Sequence, residues 1–416
     1  MSRPAGRSGP RPPRARPAPP SGRSLVGTEL LLHVGPVAHG GHCVARHDGR
    51  VVFVRHTLPG ERVLAHVTEG AEGDRFLRAD AVRVLLASPH RVPAPCRYAG
   101  PGGCGGCDWQ HVEIAHQRRL KAQVVSEALS RLAGVDVPVV VEALPGAPDG
   151  LGWRTRVSLA VDAAGRLGLH RHRSHEVVPV EGCAVLHPTV QLSAVPADRR
   201  APGGTVHLVA TAPGGRDEVG EVPATEVVER VVAGDWVGQF RLDVDGFWQA
   251  HRGAPGAYVA RVLADLALRA GERAVDLYAG VGLFAAPLAD AVGPSGSVLA
   301  VEGDAAAARH ASGNLAARPW VQVLHAPVER AVGGLGRADL VVLDPPRRGA
   351  RRAVVEAVCA LGPRALAYVA CDPMALARDV AYAAAQGYRL TRLSAFDAFP
   401  MTHHVECIAL LEPASR

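Results

Sequence analysis

The sequence predicts an α/β chain whose C-terminal half is a doubly wound, largely parallel sheet. A small β-barrel and a β-rich, cysteine-bearing middle precede it. Three observations predict this. After Trp236, apolar runs of strand length alternate with helical stretches, the pattern of parallel strands joined by crossover helices. Over residues 25–86, short alternating runs are cut by Gly40-Gly41 and Pro59-Gly60, which reads as a barrel of short strands. Between these regions, a Gly- and Pro-rich turn holds a Cys-x2-Cys pair.

Composition sets the outer bounds. The 416 residues are 48% hydrophobic and 21% charged, as in a folded globular chain. No apolar run reaches the roughly 20 residues of a membrane span, so no membrane association is expected. Eight cysteines are too few for a disulfide scaffold, and no apolar leader is visible. A reducing cytoplasm is expected, where cysteines serve as ligands or nucleophiles. The net charge of +6 permits a nucleic-acid partner without identifying one. Lys121 is the only lysine. The arginine excess reads mainly as GC-rich codon usage, the alternative being phosphate recognition, which suits the guanidinium fork.

The elements follow in order. Residues 1–24 are rich in Pro, Arg, Ser and Gly, which reads as a disordered basic arm that either holds RNA loosely or is inert. Strands are expected at 29–34, 51–54, 61–68 and 75–86, an OB-like barrel of the kind that often binds RNA. Residues 87–235 form a middle domain. It begins with the cysteine turn, continues with a helix over 111–132 carrying Arg118, Arg119 and Lys121 on a polar face, and ends in a β-rich stretch over 153–209. A loop is expected at 201–220. From 236 to 416 the strands are expected at 274–277, 297–301, 321–324, 340–343, 365–370, 388–396 and 405–411. The last two form an antiparallel hairpin at the sheet edge.

The chemistry gathers at strand ends. Val275-Asp276-Leu277-Tyr278-Ala279-Gly280-Val281-Gly282 runs from a strand into a Gly-x-Gly turn, and the next strand ends in Glu302. Glycines there let backbone approach a ligand, and an acidic side chain at the second strand end can accept from ribose hydroxyls. The third glycine of the dinucleotide fingerprint is absent, which favours a nucleoside without phosphates, S-adenosylmethionine. The bland alternative is glycines that serve strand–helix packing alone. The fourth strand ends in Asp344-Pro345-Pro346-Arg347; an arginine, where amino-methylating enzymes place an aromatic residue, argues against exocyclic nitrogen chemistry. The fifth ends in Cys371, and a helix expected from about Met374 would favour its thiolate over the usual pKa of about 8.5. Cys359 and Cys407 lie in apolar runs and read as core; Cys43 is given no role. Cys96-x7-Cys104-x2-Cys107, with Cys183 far downstream, suits zinc or a [4Fe–4S] cluster. A single Cys-x2-Cys knuckle leans toward the cluster.

Three segments in this order make a resemblance specific. They are Asp-Pro-Pro-Arg at 344–347, Tyr-Val-Ala-Cys-Asp-Pro at 368–373 and Phe-Pro-Met-Thr-His-His-Val-Glu at 399–406. Together they resemble the RNA (uracil-5-)-methyltransferase family, over residues 25–412. The resemblance implies a class I (Rossmann-like) methyltransferase domain, an N-terminal TRAM barrel and a central α+β domain bearing an Fe–S cluster. It implies that Gln249, Tyr278, Glu302 and Asp344 contact S-adenosylmethionine, with Gly280 and Gly282 shaping the turn. Cys371 would be the nucleophile and Glu406 the base, and His403 and His404 either help or pack near the site. Cys96, Cys104, Cys107 and Cys183 would hold [4Fe–4S]. Leu283 and Pro327 depart from the polar residues often found at those places.

The implied substrate is RNA, with 23S rRNA favoured over tRNA because members with both barrel and cluster act there. No obligate protein partner is implied. The rival enzyme is an RNA cytosine-5-methyltransferase, whose Pro-Cys turn on the fourth strand is absent here. The rival of another class is a non-catalytic Fe–S RNA-binding protein.

Overall fold

A computed structural model describes residues 22–210 and 225–414. The arm expected at 1–24 lies outside these residues except for 22–24, and so does the part of the expected loop from 211 to 220. Strands β1 (Glu29–Val37), β2 (Cys43–His47), β3 (Arg50–Arg55), β4 (Arg62–Glu69) and β5 (Phe76–Leu86) close into a barrel in the order β1-β2-β3-β5-β4. Its inside is the alternate residues, Leu30, Leu32 and Val34 of β1 with Val52 and Val54 of β3. Strand β2 was not among the expected strands. It is five residues long between turns at Gly40-Gly41 and Asp48-Gly49, too short for alternation to stand out.

Helix α1 (Ile114–Ala133) ends where Gly134 turns left-handed. Gln117, Lys121, Val125 and Ala128 fall on one buried stripe at helical spacing. Lys121 is therefore not on the solvent face expected for it. Its ammonium is fully buried because the stripe meets the end of the large sheet, where Asp397 and the Phe399 carbonyl receive it.

The rest of the middle region is β-rich. Strand β6 (Val141–Ala143) leaves it to pair with the large sheet. Strands β7 (Arg156–Val161), β8 (Leu167–His170), β9 (Val177–Pro179) and β10 (Thr205–Val209) form a sheet in the order β10-β7-β8-β9. A hairpin of β11 (Glu226–Ala233) and β12 (Trp236–Asp243) spans the 235/236 boundary expected between domains. Its Val231, Phe240 and Leu242 pack with the helices beyond it.

The C-terminal region alternates as expected: α2 (Ala254–Leu266), β13 (Arg273–Leu277), α3 (Ala285–Val292), β14 (Ser297–Glu302), α4 (Ala305–Asn314), β15 (Val321–His325), α5 (Val328–Ala331), β16 (Leu340–Leu343), α6 (Arg351–Ala360), β17 (Ala365–Ala370), α7 (Pro373–Ala384), β18 (Tyr388–Asp397) and β19 (Glu406–Pro413). The sheet order is β15-β14-β13-β16-β17-β19-β18-β6. The first five strands are parallel, and β19 runs antiparallel between β17 and β18. The final hairpin is thus present, but β6 takes the edge outside it. One face packs against α2, α3 and α4, the other against α1, α5, α6 and α7. Burial on both faces explains why β16 and β17 are unbroken apolar runs rather than alternating ones. The fold is Rossmann-like α/β behind an N-terminal barrel. No helix among the described residues is long and apolar enough to cross a membrane.

Candidate active site and cysteine turn

In a sheet of this topology, ligands meet the carboxyl ends of the parallel strands. Tyr278, Gly280 and Gly282 follow β13, Glu302 ends β14, Asp344 follows β16 and Cys371 follows β17. Glu406 opens β19, which runs the other way, so its first residue lies at the same rim. The register makes this specific. Ala370 faces Cys407 across β17 and β19, so one step further brings Cys371 opposite Glu406.

At the glycine turn, Glu302 is held by backbone: Gly280 N–H donates to Oε2 at 2.7 Å and Asp304 N–H to Oε1 at 2.7 Å. A carboxylate offers about four acceptor positions, so further hydroxyl donors can still be taken. Gly280 has φ 54° and nothing within 4 Å of where a Cβ would stand, which leaves that side open. Tyr278 also has positive φ, 63°, and its buried hydroxyl lies beside Glu329. Strain at a non-glycine residue beside a ligand rim is a mark of function. Gln249 is buried after β12, and Gly282 packs close to Leu315.

The other end of the rim is short of partners. Burial and then the charge of Glu302 push the Asp344 carboxyl up to about 7. Burial, with Asp344 next, raises Glu406 well above the carboxylate range; Arg347 opposes the shift. The Cys371 thiol is pushed up to about 12, first by burial and then by Glu406, again with Arg347 opposing. The helix-terminus effect expected at Cys371 is thus overridden. Asp372 caps α7 through Ala375 N–H, but desolvation and neighbouring carboxyls outweigh that field.

Two further groups belong here that the sequence did not single out. The Tyr258 hydroxyl on α2 is fully buried without a partner, and its ionisation is disfavoured by burial first and then by Glu406, Asp344 and Cys371. Asp276, inside the quoted strand, is fully buried, and burial and then Asp344 raise it well above the usual range, with the Ala285 N–H opposing. Tyr258 gave no signal because an aromatic residue on an apolar helix face reads as core.

His403 accompanies the rim: its Nδ1 lies 2.6 Å from Asp108, and it borders the small space beside Cys371 together with His39, Gly41, Trp109 and His404. The barrel reaches this space too, since His39 Nε2 stands 3.2 Å from Asp372. Cys359 and Cys407 are buried in the core.

The four cysteines of the middle region are mutually close, since the thiols of Cys96, Cys104 and Cys183 feel one another's charge. Cys107 is pushed up to about 12 by burial first, then by the other three. Tyr98 ties the two cysteine-bearing loops: its carbonyl accepts from Cys104 N–H and its hydroxyl from Glu181 N–H. Glycine is required in the turn, because a Cβ at Gly105 would meet the His172 backbone at 2.5 Å. Four ligands around one zinc at about 2.3 Å would place sulfurs roughly 3.8 Å apart. No three of these sulfurs lie within 4.8 Å of one another. The donor set is all thiol and the spacing is wider than one zinc ion needs, which fits a cluster.

Comparison with known proteins agrees with this geometry. Residues 23–82 match the model of the TRAM domain, and residues 337–414 that of tRNA (Uracil-5-)-methyltransferase. An RNA methyltransferase of Streptomyces coelicolor is 48% identical, covering 94% of each chain. The 23S rRNA (uracil(1939)-C(5))-methyltransferase RlmD of Pseudomonas fluorescens is 34% identical over 93% of this chain and 95% of its own. In fold, the chain is similar to the Pyrococcus abyssi tRNA (uracil-54, C5)-methyltransferase crystallised with S-adenosyl-L-homocysteine, with TM-score 0.64, 20% identity, 92% of this chain and all of that one. With a rim that sets a thiol opposite a buried carboxyl, and a relative at this identity over nearly its whole length, the chain belongs to the RNA uracil-5-methyltransferase family.

Proposed function

We propose that this enzyme methylates C5 of a uridine in 23S rRNA with S-adenosylmethionine, through a covalent adduct on Cys371 that Glu406 resolves. The observation that carries the reading is the register that sets Cys371 opposite Glu406 at the rim. Uracil C5 is not nucleophilic until a group adds at C6. Once its proton has passed to water, the Cys371 sulfur adds there as thiolate, its electron pair forming the S–C6 bond while the C5–C6 π pair moves to C5 and O4. S-adenosylmethionine, when bound, supplies a methyl group on a sulfonium whose positive charge opposes the rim carboxylates. C5 would take that methyl group with its electron pair, the S–CH3 bond breaking to leave a neutral thioether, and C5 would still hold its proton. Glu406, once ionised, removes it, and the C5–H pair re-forms the double bond as the S–C6 bond breaks.

In the resting rim both groups hold their protons, since burial raises both. Arg347 lowers both and would be the first protein group to stabilise their ionised forms. Gln249, Tyr278, Glu302 and Asp344, with Gly280 and Gly282, would hold the cofactor. Glu302 is placed to accept from hydroxyls while backbone N–H groups fix it. Cys96, Cys104, Cys107 and Cys183 would hold the [4Fe–4S] cluster, which contributes order to the middle region and takes no part in the transfer. The 23S rRNA assignment is supported by the activity named for the Pseudomonas relative.

The two rim residues should fail differently. Cys371→Ala should bind RNA and cofactor yet form no 5-methyluridine, as nucleoside mass spectrometry would show. Glu406→Ala should complete addition and methyl transfer and then stall. A denaturing gel should show protein joined to RNA, labelled from the methyl group, and the band should vanish in the double variant. Turnover of Glu406→Ala at the wild-type rate would remove it as base; a band without Cys371 would remove the nucleophile. Anaerobically isolated protein should carry about four irons per chain, and stoichiometric zinc in their place would overturn the cluster.

A further inference from the structure

We propose that a second cavity, between the barrel and the cysteine turn, receives the base of an unpaired nucleotide adjoining the methylated uridine. This rests on the reading of RNA as substrate. The cavity holds about 330 Å³ and is bounded by β5, the segment after it and the cysteine turn. That volume is at the lower end of small-ligand pockets. Val82, Val92 and Pro101 give it apolar sides, and His56 and Arg83 bring polar groups to its border. Apolar walls with a few polar groups suit a base, which has two apolar faces and a polar edge. Of the four clustered cysteines only Cys107 borders it, so it is not the space a cluster would fill.

Two features set this cavity apart from a packing defect. His56, on its border, is a non-glycine residue held at φ 62°. Its side chain is 10% exposed, and its Nε2 is buried without a hydrogen-bond partner, 4.0 Å from the nearest carboxylate, Asp80. A strained backbone and an unsatisfied imidazole together cost stability that packing alone would not select. Arg83, exposed on the border, has no ion-pair partner among the described residues and is free to meet a phosphate.

The position points to RNA rather than a free metabolite. Asp108 borders this cavity, and its carboxylate holds His403, which borders the space beside Cys371. One ion pair separates the two spaces. A single strand delivering a uridine to Cys371 can therefore place a neighbouring base here, as splayed bases are held in single-stranded RNA recognition.

The test uses the full-length protein and a transcript of the 23S rRNA region corresponding to position 1939 of the relative's substrate. Each nucleotide flanking the target is replaced in turn by an abasic one, and binding is followed by fluorescence anisotropy. One abasic substitution should weaken wild-type binding about tenfold, within the range for losing a held base. Val92→Trp fills the cavity from an exposed position, so folding is spared. That variant should bind the unmodified transcript about tenfold more weakly and become indifferent to the same abasic substitution. His56→Gly, which removes the imidazole and relieves the left-handed strain, should lose part of the discrimination. Wild-type affinity in Val92→Trp, or equal affinity for every abasic transcript, overturns the proposal. Anisotropy needs no methyl transfer, so absence of 5-methyluridine from the wild-type reaction would strike the function and leave this measurement standing.

Discussion

The two ends of the rim are built on opposite terms. At the glycine turn the carboxylate is already held, both Glu302 oxygens accepting from backbone N–H groups. At the far end, Asp344 and Glu406 are raised by burial, Cys371 with them, and the Tyr258 hydroxyl has no partner. Under the proposed mechanism the first end binds and the second reacts. A binding end gains by being organised in advance. A reacting end keeps protons and desolvation strain that ligands relieve, and the unliganded fold carries that cost.

What holds the strained end in place is the buried pair of Lys121 and Asp397, 2.5 Å apart, one residue beyond the point where β18 pairs with Glu406. The largest effect is expected there. Lys121→Met should destabilise the protein by about 3–5 kcal/mol, because Asp397 is left buried without its partner. Denaturant unfolding measures it, and a loss under about 1 kcal/mol would mean that the reacting end does not lean on this anchor. The binding end comes next: Glu302→Ala should weaken S-adenosylmethionine by about 1.5–3 kcal/mol, the value of a hydrogen bond to a charged group. RNA affinity should be unchanged. Calorimetry giving wild-type cofactor affinity would erase the contrast at its better-ordered side.

The remaining effect concerns acidity. Asp344 sits at about 7 against an ordinary 3.8, so the folded chain keeps a proton that the unfolded chain has lost. Stability from this group is full below about pH 4 and declines as pH rises toward about 7. Asp344→Asn has no such proton to give up. Thermal unfolding of the unliganded variant should show a flatter pH dependence across that interval and higher stability than wild type at pH 7. A variant with the wild-type slope would mean that Asp344 does not carry the strain assigned to it.

Much of the fold was legible in the sequence. The parallel strands stood out because both faces are buried, so β16 and β17 read as unbroken apolar runs and β14 as one that ends in an acid. The barrel was legible by alternation, except for the short β2. Contacts between distant segments were not. Lys121 meets Asp397 across 276 positions, and nothing in α1 marks that lysine as buried. Strand β6 is three residues long and is a strand only because the β18 edge is there to pair with. Asp108 and His403 stand 295 positions apart, each in a motif noticed for other residues. Cys371 shows the limit from the other side. A helix terminus can be read locally, but the carboxyl groups that raise its thiol come from other strands.

The burial of Lys121 has a practical consequence. The chain has no other lysine, so the folded enzyme between residues 22 and 414 offers amine-directed reagents no accessible ε-amine. Esters that acylate lysines would react there only when α1 parts from the β18–β19 hairpin. Slow acylation at this one position thus becomes a clock for local opening, its rate set by how often the hairpin lets go. Ligands that tighten the rim should slow that clock, and an engineered surface lysine could be labelled without competition from any exposed neighbour.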